Sequence, residues 1–465
     1  MNNLNTIETL RKICGHNAVI DNEISLQSYN QDWDNKFNNK SICAVLPKNK
    51  HEVSEIAKYC NNYAIKIIPQ GGNTGLVAGA NPTSNKDEII LNLKKMNKII
   101  DIDKYNYSIA IEAGVILQTL KETCSKKGFF FPIEITSSGS SQIGGNIATN
   151  AGGMNALKFG SMRDQLLGLE VVTADGSILE LNSKMRKNNM GYDLKNLFCG
   201  SEGTLGIITS ATLKLYPLSS NSFSVMVSFD NIETLLNSYL DIRSEFSEIL
   251  ECCEFITETS FDLVLRHGLI KKHLFDKAGK YYLLLKFASN DLNRNLQDII
   301  GNHLYNKRNY LDVLVPLNEK SQNELWDFRE KITEAQKREG HVIHNDISIP
   351  INHISVFMNK IKSKFSSKKF ILHTFGHLGD SNLHVNLIFK GGKNILKSEE
   401  KKVVDYINKI VINLEGSISA EHGIGRIKKD SFLDYSKENN IEVMKKIKKL
   451  FDPNNIMNPA KVFDI

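Results

Sequence analysis

PQGGNTGLVAG, residues 69–79, and GSSQIGGNIATNAGG, residues 139–153, are the stretches that decide how this chain is read. Glycine at such density marks backbone that passes close to a ligand or adopts φ > 0. Runs of free N–H groups in such loops form concave nests that favour phosphate oxygens. Asn73, Thr74, Asn146, Thr149 and Asn150 thread the blocks, which sets them apart from a flexible linker. Their side chains are expected to donate to phosphate or to a heterocycle edge. A bound dinucleotide is the natural expectation. Gly176 and a few others only make tight turns; that account fails for Gly144-Gly145-Asn146 and Asn150-Ala151-Gly152-Gly153, which recur within one short block.

Two common phosphate motifs are ruled out. A P-loop needs GxxxxGK followed by Ser or Thr, and the Gly-Lys pairs Gly279-Lys280 and Gly392-Lys393 are followed by Tyr and Asn. The fingerprint GxGxxG is absent as well. Around the blocks the pattern is strand–helix–strand: ICAVLP, HEVSEIAKYCNNY and IKIIP lead into the first, and EIILNL, YSIAIEAG and the helical ILQTLKETCSKKG lead into the second. LGLEVVTADGSILEL reads as a hairpin turning at Asp175-Gly176, and GTLGIITSATLKLYP closes the region at Pro217. The first forty residues read as helical, with Leu4, Ile7, Leu10 and Ile13 at helical spacing. Beyond Ser220, strand-like SFSVMVSF and YYLLLKF alternate with long charged helices, the texture of an α+β domain. The expected division is 1–40, a helical segment; 41–217, the dinucleotide-binding region; 218–410, the α+β domain; and 411–465, a tail returning to a glycine-bearing motif.

At 465 residues the chain is too long for one core. A hydrophobic share of 41% excludes wholesale disorder. Its longest apolar runs fall far short of a membrane span, and MNNLNTIETL has no signal-peptide pattern, so a cytoplasmic protein is expected, with peripheral contact at an inner membrane allowed. The net charge of +6 is carried by lysines scattered over helix faces such as MKKIKKL, without aromatic interleaving, which argues against nucleic acid. Seven cysteines without CxxC spacing argue against an in-chain iron–sulfur cluster or zinc ribbon.

The motifs PQGGNTG, IGGNIATNAGG, NLFCGSEGTLGIIT, GHLGDSNLHVN, SAEHGIG and the terminal NP occur in one order. In them the chain resembles the flavoproteins of the vanillyl-alcohol oxidase and p-cresol methylhydroxylase type, and within these the D-2-hydroxy-acid dehydrogenases. The resemblance covers nearly the whole chain from about residue 20. It implies an α+β fold in which a two-subdomain FAD-binding domain of the p-cresol methylhydroxylase type is joined to an α+β cap domain. By that likeness Gln70, Gly71, Gly72, Asn73, Thr74 and Gly75 wrap the FAD diphosphate. Gly145, Asn146, Thr149 and Gly153 line ribose and isoalloxazine, Glu202, Gly203 and Ile207 sit near the adenosine half and ring edge, and Ser138, Ser141 and Asn458 also belong to the cofactor site. The first loop holds no histidine, so the flavin is expected to be non-covalent.

In HTFGHLGDSNLHVN, residues 373–386, Gly379-Asp380-Ser381-Asn382 is turn chemistry. A hairpin there brings His377 and His384 onto neighbouring strands, with Asn386 sharing the face of His384. Two imidazoles and Glu421 make the three-ligand pattern of a catalytic divalent metal, and Gly423 and Gly425 let the following backbone lie close to a ligand. The resemblance implies that His377, His384 and Glu421 hold zinc or a similar ion and that His422 acts as base. His373 is read as a satisfied core or surface histidine. In LWDFREKITEAQKRE, residues 325–339, Arg329 and Thr333 share a helix face, and the resemblance assigns them to the substrate carboxylate. Asn386 and His344 are expected to assist. His344 stands where the D-2-hydroxyglutarate-type proteins usually carry a lysine, which leaves the substrate open.

The activity implied is FAD-dependent oxidation of a D-2-hydroxy acid to the 2-oxo acid. Hydride goes to flavin N5, and the electrons pass to a quinone, cytochrome c or an electron-transfer flavoprotein. A homodimer is allowed. The alternatives are the FAD subunit of a glycolate-oxidase-like complex and a non-catalytic electron-transfer flavoprotein.

Overall fold

EIILN, residues 88–92, is buried at every position, which a strand tolerates only when both faces are covered. It lies inside a four-stranded sheet in the order 19–20, 44–45, 88–92, 66–70. The pairs flanking it are parallel and the outer pair, Val19–Ile20 with Ala44–Val45, is antiparallel. The helix Lys50–Asn62 makes the crossover between parallel strands; Asn49 caps it by accepting from the Glu52 N–H. The computed structural model describes residues 3–84, 87–365, 369–391 and 395–465. Gly392 and Lys393, tested above as a P-loop pair, lie outside the described residues, as do Met1 and Asn2 of the helical N-terminal stretch.

The chain divides into two compact units. The first comprises residues 1–152, 160–216 and 422–465. Besides the four-stranded sheet it holds a five-stranded antiparallel one, in the order 99–103, 108–112, 207–214, 166–172, 178–181. One hydrophobic core, from Leu10 through Ile67, Ile111 and Val171 to Met457, serves both sheets. The hairpin turn at Asp175-Gly176 forms as expected: Gly176 has φ +81°, and Leu169 to Val172 pair with Ile178 to Leu181. The last segment is stitched to the first sheet, since Ile67 N–H donates to the Ile456 carbonyl at 2.7 Å and Asn458 N–H to the Ile67 carbonyl at 2.8 Å. Lys448 fixes that return. Its Nζ donates to the carbonyls of Thr204 and Met457, both at 2.7 Å, and pairs with Asp452.

The N-terminal stretch is not continuously helical. The first helix, Asn3–Cys14, ends where Gly15 adopts φ +88°, and β-branched Val19 and Ile20 then pair with the sheet edge. Asn22 caps a second helix, Glu23–Asn30, and residues 31–40 form no regular element.

The second unit comprises residues 153–159 and 217–421. Its antiparallel sheet runs 312–314, 221–229, 281–289, 250–257, 370–377, 382–389, 341–343, and strand 346–348 also pairs with 382–389. The helix Glu319–Glu339 packs on this sheet through Leu325, Phe328, Ile332 and Ala335, which join Ile256, Phe375 and Ile388 in one core. A capping box between Asn318 and Ser321 starts that helix. Among the described residues no helix is long and apolar enough to cross a membrane.

Candidate functional site

Within the first unit, both glycine blocks face one cavity of about 940 Å³, its open mouth included. Gln70, Gly71, Gly72, Asn73, Thr74, Gly75, Gly145, Asn146, Thr149, Glu202, Gly203 and Ile207 line it, and so does His422. Ser138, Ser141, Gly153 and Asn458 do not line it. Asn458 instead braces the wall: its Nδ2 donates to the carbonyls of Gly79 at 2.9 Å and Glu202 at 2.7 Å. Ser138 Oγ turns back to the Ile135 carbonyl at 2.5 Å, and Gly153, at φ +106°, makes a turn.

Several side chains expected to meet a ligand shape the loops instead. Gln70 Nε2 donates to the carbonyls of Tyr29 and Ala80, at 2.9 and 2.8 Å. Asn73, at φ +54°, donates to Gln31 O at 2.9 Å, and Asn150 Oδ1 accepts from Ser161 Oγ and Arg163 N–H, each at 2.9 Å. These bonds hold both left-handed residues, through the Nδ2 donor of Asn73 and the Oδ1 acceptor of Asn150. Gly423 and Gly425 likewise answer to protein. A Cβ on Gly423 would lie 2.9 Å from Glu202 Oε1, and one on Gly425 2.3 Å from the Val77 carbonyl. The reason is Glu202 itself, whose carboxylate accepts from Ile424 N–H at 2.8 Å and Gly425 N–H at 2.7 Å and so anchors the backbone just after His422. Burial raises the Glu202 pKa, against those two bonds.

Two polar atoms on the cavity wall are left without a partner: Gln142 Oε1 and Asn146 Nδ2. A buried polar group left unpaired costs ~1–3 kcal/mol, so a polar ligand is the natural completion. Gly75 and Gly145 have nothing within 4 Å of an added Cβ. Open glycine backbone and waiting amide atoms fit FAD. Gln142 was missed in the sequence because its neighbouring glycines draw the eye; the short helix Ile143–Ala148 inside that block turns its amide inward.

In the second unit a polar layer lies between helix Glu319–Glu339 and the sheet. The hairpin expected at 379–382 forms, with His384 opposite Phe375 and Asn386 opposite His373. His377 and His384 meet edge to face, their ring centres 5.4 Å apart. Both aim Nε2 at one atom, Glu421 Oε1, at 3.3 and 3.6 Å. Behind each ring stands a buried carboxylate: Glu254 bonds His377 Nδ1, and Asp346 Oδ1 lies 3.7 Å from His384 Nδ1. Asp346 Oδ2 also accepts from the N–H groups of Ala420 and Glu421, at 3.1 and 3.0 Å. Ligand atoms of Asp346, His384 and Glu421 lie within 4.8 Å of one another, a set in which Asp346 and not the expected His377 stands. Imidazoles backed by carboxylates and converging on a third ligand fit a divalent cation of the zinc type.

The charges are uneven. Burial pushes His384 down to about 3. Burial also opposes charge on His377, but Glu254 and Glu421 outweigh it and hold that ring well above the ordinary histidine value. Arg329 donates from Nε to Glu254 Oε2 at 2.5 Å and stacks its guanidinium 4.7 Å over the Phe375 ring. Thr333, one turn on, is half-buried, and His344 is exposed. Asn386 is buried and gives its Nδ2 to Gln336 Oε1 at 3.0 Å, which leaves the buried Gln336 Nε2 unpartnered. Neither Glu254 nor Asp346 was singled out from sequence. A signal for Glu254 did exist, because an acid inside the apolar run LECCEFIT needs a partner. His373 is fully buried, and neither ring nitrogen has a hydrogen-bond partner among the described residues.

Two family models match in order: FAD binding domain over residues 42–182, and FAD linked oxidases, C-terminal domain, over 218–462. The chain is 34% identical over 459 residues to a D-2-hydroxyglutarate dehydrogenase, mitochondrial, of Arabidopsis thaliana, covering 98% of this chain and 81% of that one. It is 33% identical to the D-2-hydroxyglutarate dehydrogenase of Stutzerimonas stutzeri, covering 98% of each. In fold it is similar to p-cresol methylhydroxylase (TM-score 0.78, 17% identity, 99% and 97% covered). It is also similar to 4-ethylphenol oxidase from Gulosibacter chungangensis (TM-score 0.77, 17% identity, 99% and 97% covered). The fold is thus the two-domain α+β arrangement of the p-cresol methylhydroxylase type, and the chain belongs to the FAD-linked oxidase family as an FAD-dependent oxidoreductase.

Proposed function

We propose that this enzyme oxidises a D-2-hydroxy acid, of the D-2-hydroxyglutarate or D-lactate class, to the 2-oxo acid and passes the electrons to an acceptor other than oxygen. The observation that carries the reading is the second unit's polar layer, where a carboxylate-oriented arginine stands beside two imidazoles that converge on Glu421. The named activity of the relatives from A. thaliana and S. stutzeri supports the same substrate class.

In this reading residues 41–217 and the tail 411–465 serve the flavin, and 218–410 take the substrate. The terminal amino groups of Arg329, with the Thr333 hydroxyl, bind the substrate carboxylate as a fork. Asn386 and Gln336 offer amide contacts, and His344 assists. His377, His384 and Glu421 would hold a divalent cation, which supplies Lewis acidity for the hydroxyl. His422, on the wall of the flavin cavity, takes the hydroxyl proton. Bound non-covalently, FAD supplies the two-electron acceptor. A quinone, cytochrome c or an electron-transfer flavoprotein would reoxidise it. A cytoplasmic location with peripheral membrane contact goes with this proposal; the A. thaliana and Danio rerio relatives are named as mitochondrial.

Anaerobic mixing tests the proposal. D-lactate, D-2-hydroxyglutarate or D-malate should bleach the flavin absorbance while the L-enantiomers leave it unchanged. Bleaching by none of them, or equally by both hands, would end this reading.

A further inference from the structure

Glu254 sits in a strand, Leu250–Thr257, whose eight residues are all buried, and its own side chain is fully shielded from solvent. A carboxylate there persists only if every lone pair has work. Its two oxygens reach two different elements. Oε2 accepts from Arg329 Nε of helix Glu319–Glu339 at 2.5 Å. Oε1 bonds Nδ1 of His377, which is also its register partner on the adjacent strand.

Each contact removes a freedom. An ionised carboxylate only accepts, so the proton of a neutral His377 must sit on Nδ1. Its Nε2, which faces Glu421 Oε1 3.3 Å away, is then the nitrogen left to a cation. On the arginine, the bond to Nε together with the Phe375 ring under the guanidinium fixes the plane of the fork. The two terminal amino groups remain for an anion; among the described residues Arg329 makes its one ion pair to Glu254, through Nε.

We propose that Glu254 is a positioning residue that sets the metal-binding tautomer of His377 and the acid-binding orientation of Arg329 together, so that affinity for cation and for substrate are coupled through one buried carboxylate. The inference rests on the proposed function, whose substrate and cation it takes over. A carboxylate behind a ligating histidine raises its basicity and fixes its ring, and loss of such a partner typically weakens metal binding by 10–100-fold.

The test uses the flavin-loaded enzyme. Glu254→Gln keeps size but offers Arg329 only a weaker, neutral acceptor, and it turns an NH₂ toward His377 Nδ1 and so forces the other tautomer, with hydrogen on Nε2. Zinc affinity, measured by competition with a chromophoric chelator, should fall ~10–100-fold. KM for the D-2-hydroxy acid should rise by a similar factor, with flavin absorbance near wild type. Glu254→Asp, which keeps the charge on a shorter arm, should recover part of both losses, and it carries the test if the glutamine variant does not fold. A variant that binds zinc like wild type overturns the proposal, and so does one that loses zinc with KM unmoved. A wild-type enzyme that binds no zinc removes the metal reading itself, and that failure is seen before any variant is compared.

Discussion

His422 is the ring that borders the flavin cavity, and the residue before it, Glu421, carries the carboxylate on which His377 and His384 converge. If His422 is the base, His422→Ala should lower turnover by ~10²–10⁴-fold and leave the flavin bound, because the backbone beyond it is held by Glu202 and not by the imidazole. Turnover equal to wild type, measured with a dye acceptor, would remove His422 from that role. The histidines and Glu421 were legible in the sequence because short motifs hold them, and a turn of known chemistry says how 377 and 384 meet. Glu254 and Asp346 were not, since their work exists only once distant strands pair: Glu254 finds His377 across one strand boundary, and Asp346 finds His384 across another. Asn73 and Asn150 show the opposite difficulty, since both side chains bond protein. An asparagine in a glycine loop can serve the ligand or the loop itself, and only φ and neighbours decide.

Among the elements, the first glycine loop makes two of its own glycines predict different outcomes. A Cβ on Gly72 would stand 2.0 Å from the Ser140 carbonyl, a backbone atom that cannot step aside, so Gly72→Ala should disrupt the loop and give protein that is colourless and less stable. A Cβ on Gly75 meets nothing within 4 Å, so Gly75→Ala should keep the melting temperature of the flavin-free protein yet weaken FAD binding by occupying cavity space. Flavin titration of the two variants separates fold from ligand; Gly75→Ala binding FAD as tightly as wild type would deny that the cofactor passes there. Most strands and helices could be read from periodicity, as in the buried EIILN and the amphipathic helix 319–339. The helix inside IGGNIA could not, because two glycines weaken every local helical signal and packing restores it: a Cβ on Gly144 would lie 2.8 Å from the Ala113 Cβ. Strand Val19–Ile20 was hidden in the same way, its partner lying on the far side of a helix and a loop.

For the whole molecule, the tail places a lysine where charge is costly. Lys461 is 1% exposed and donates to the Asn81 carbonyl at 2.8 Å; burial, only partly offset by Glu88, pushes its pKa from 10.5 down to about 7. The unfolded chain keeps that proton to about 10.5 while the native one releases it near 7. Between those values the unfolded state binds more protons, so this group makes stability rise with pH and fall as pH drops toward 7. Lys461→Met should flatten the dependence by up to ~1.4 kcal/mol per pH unit, read from urea midpoints at pH 7, 8 and 9; an unchanged slope would contradict the buried charge. The first unit is assembled from three separate stretches of chain, the last of which supplies Lys461, Lys448 and the strand-like pairing to Ile67. The second is nearly one uninterrupted stretch. On the ribosome, therefore, the second unit can fold while synthesis continues, whereas the first must wait, half built, until residues 422–465 have left the exit tunnel.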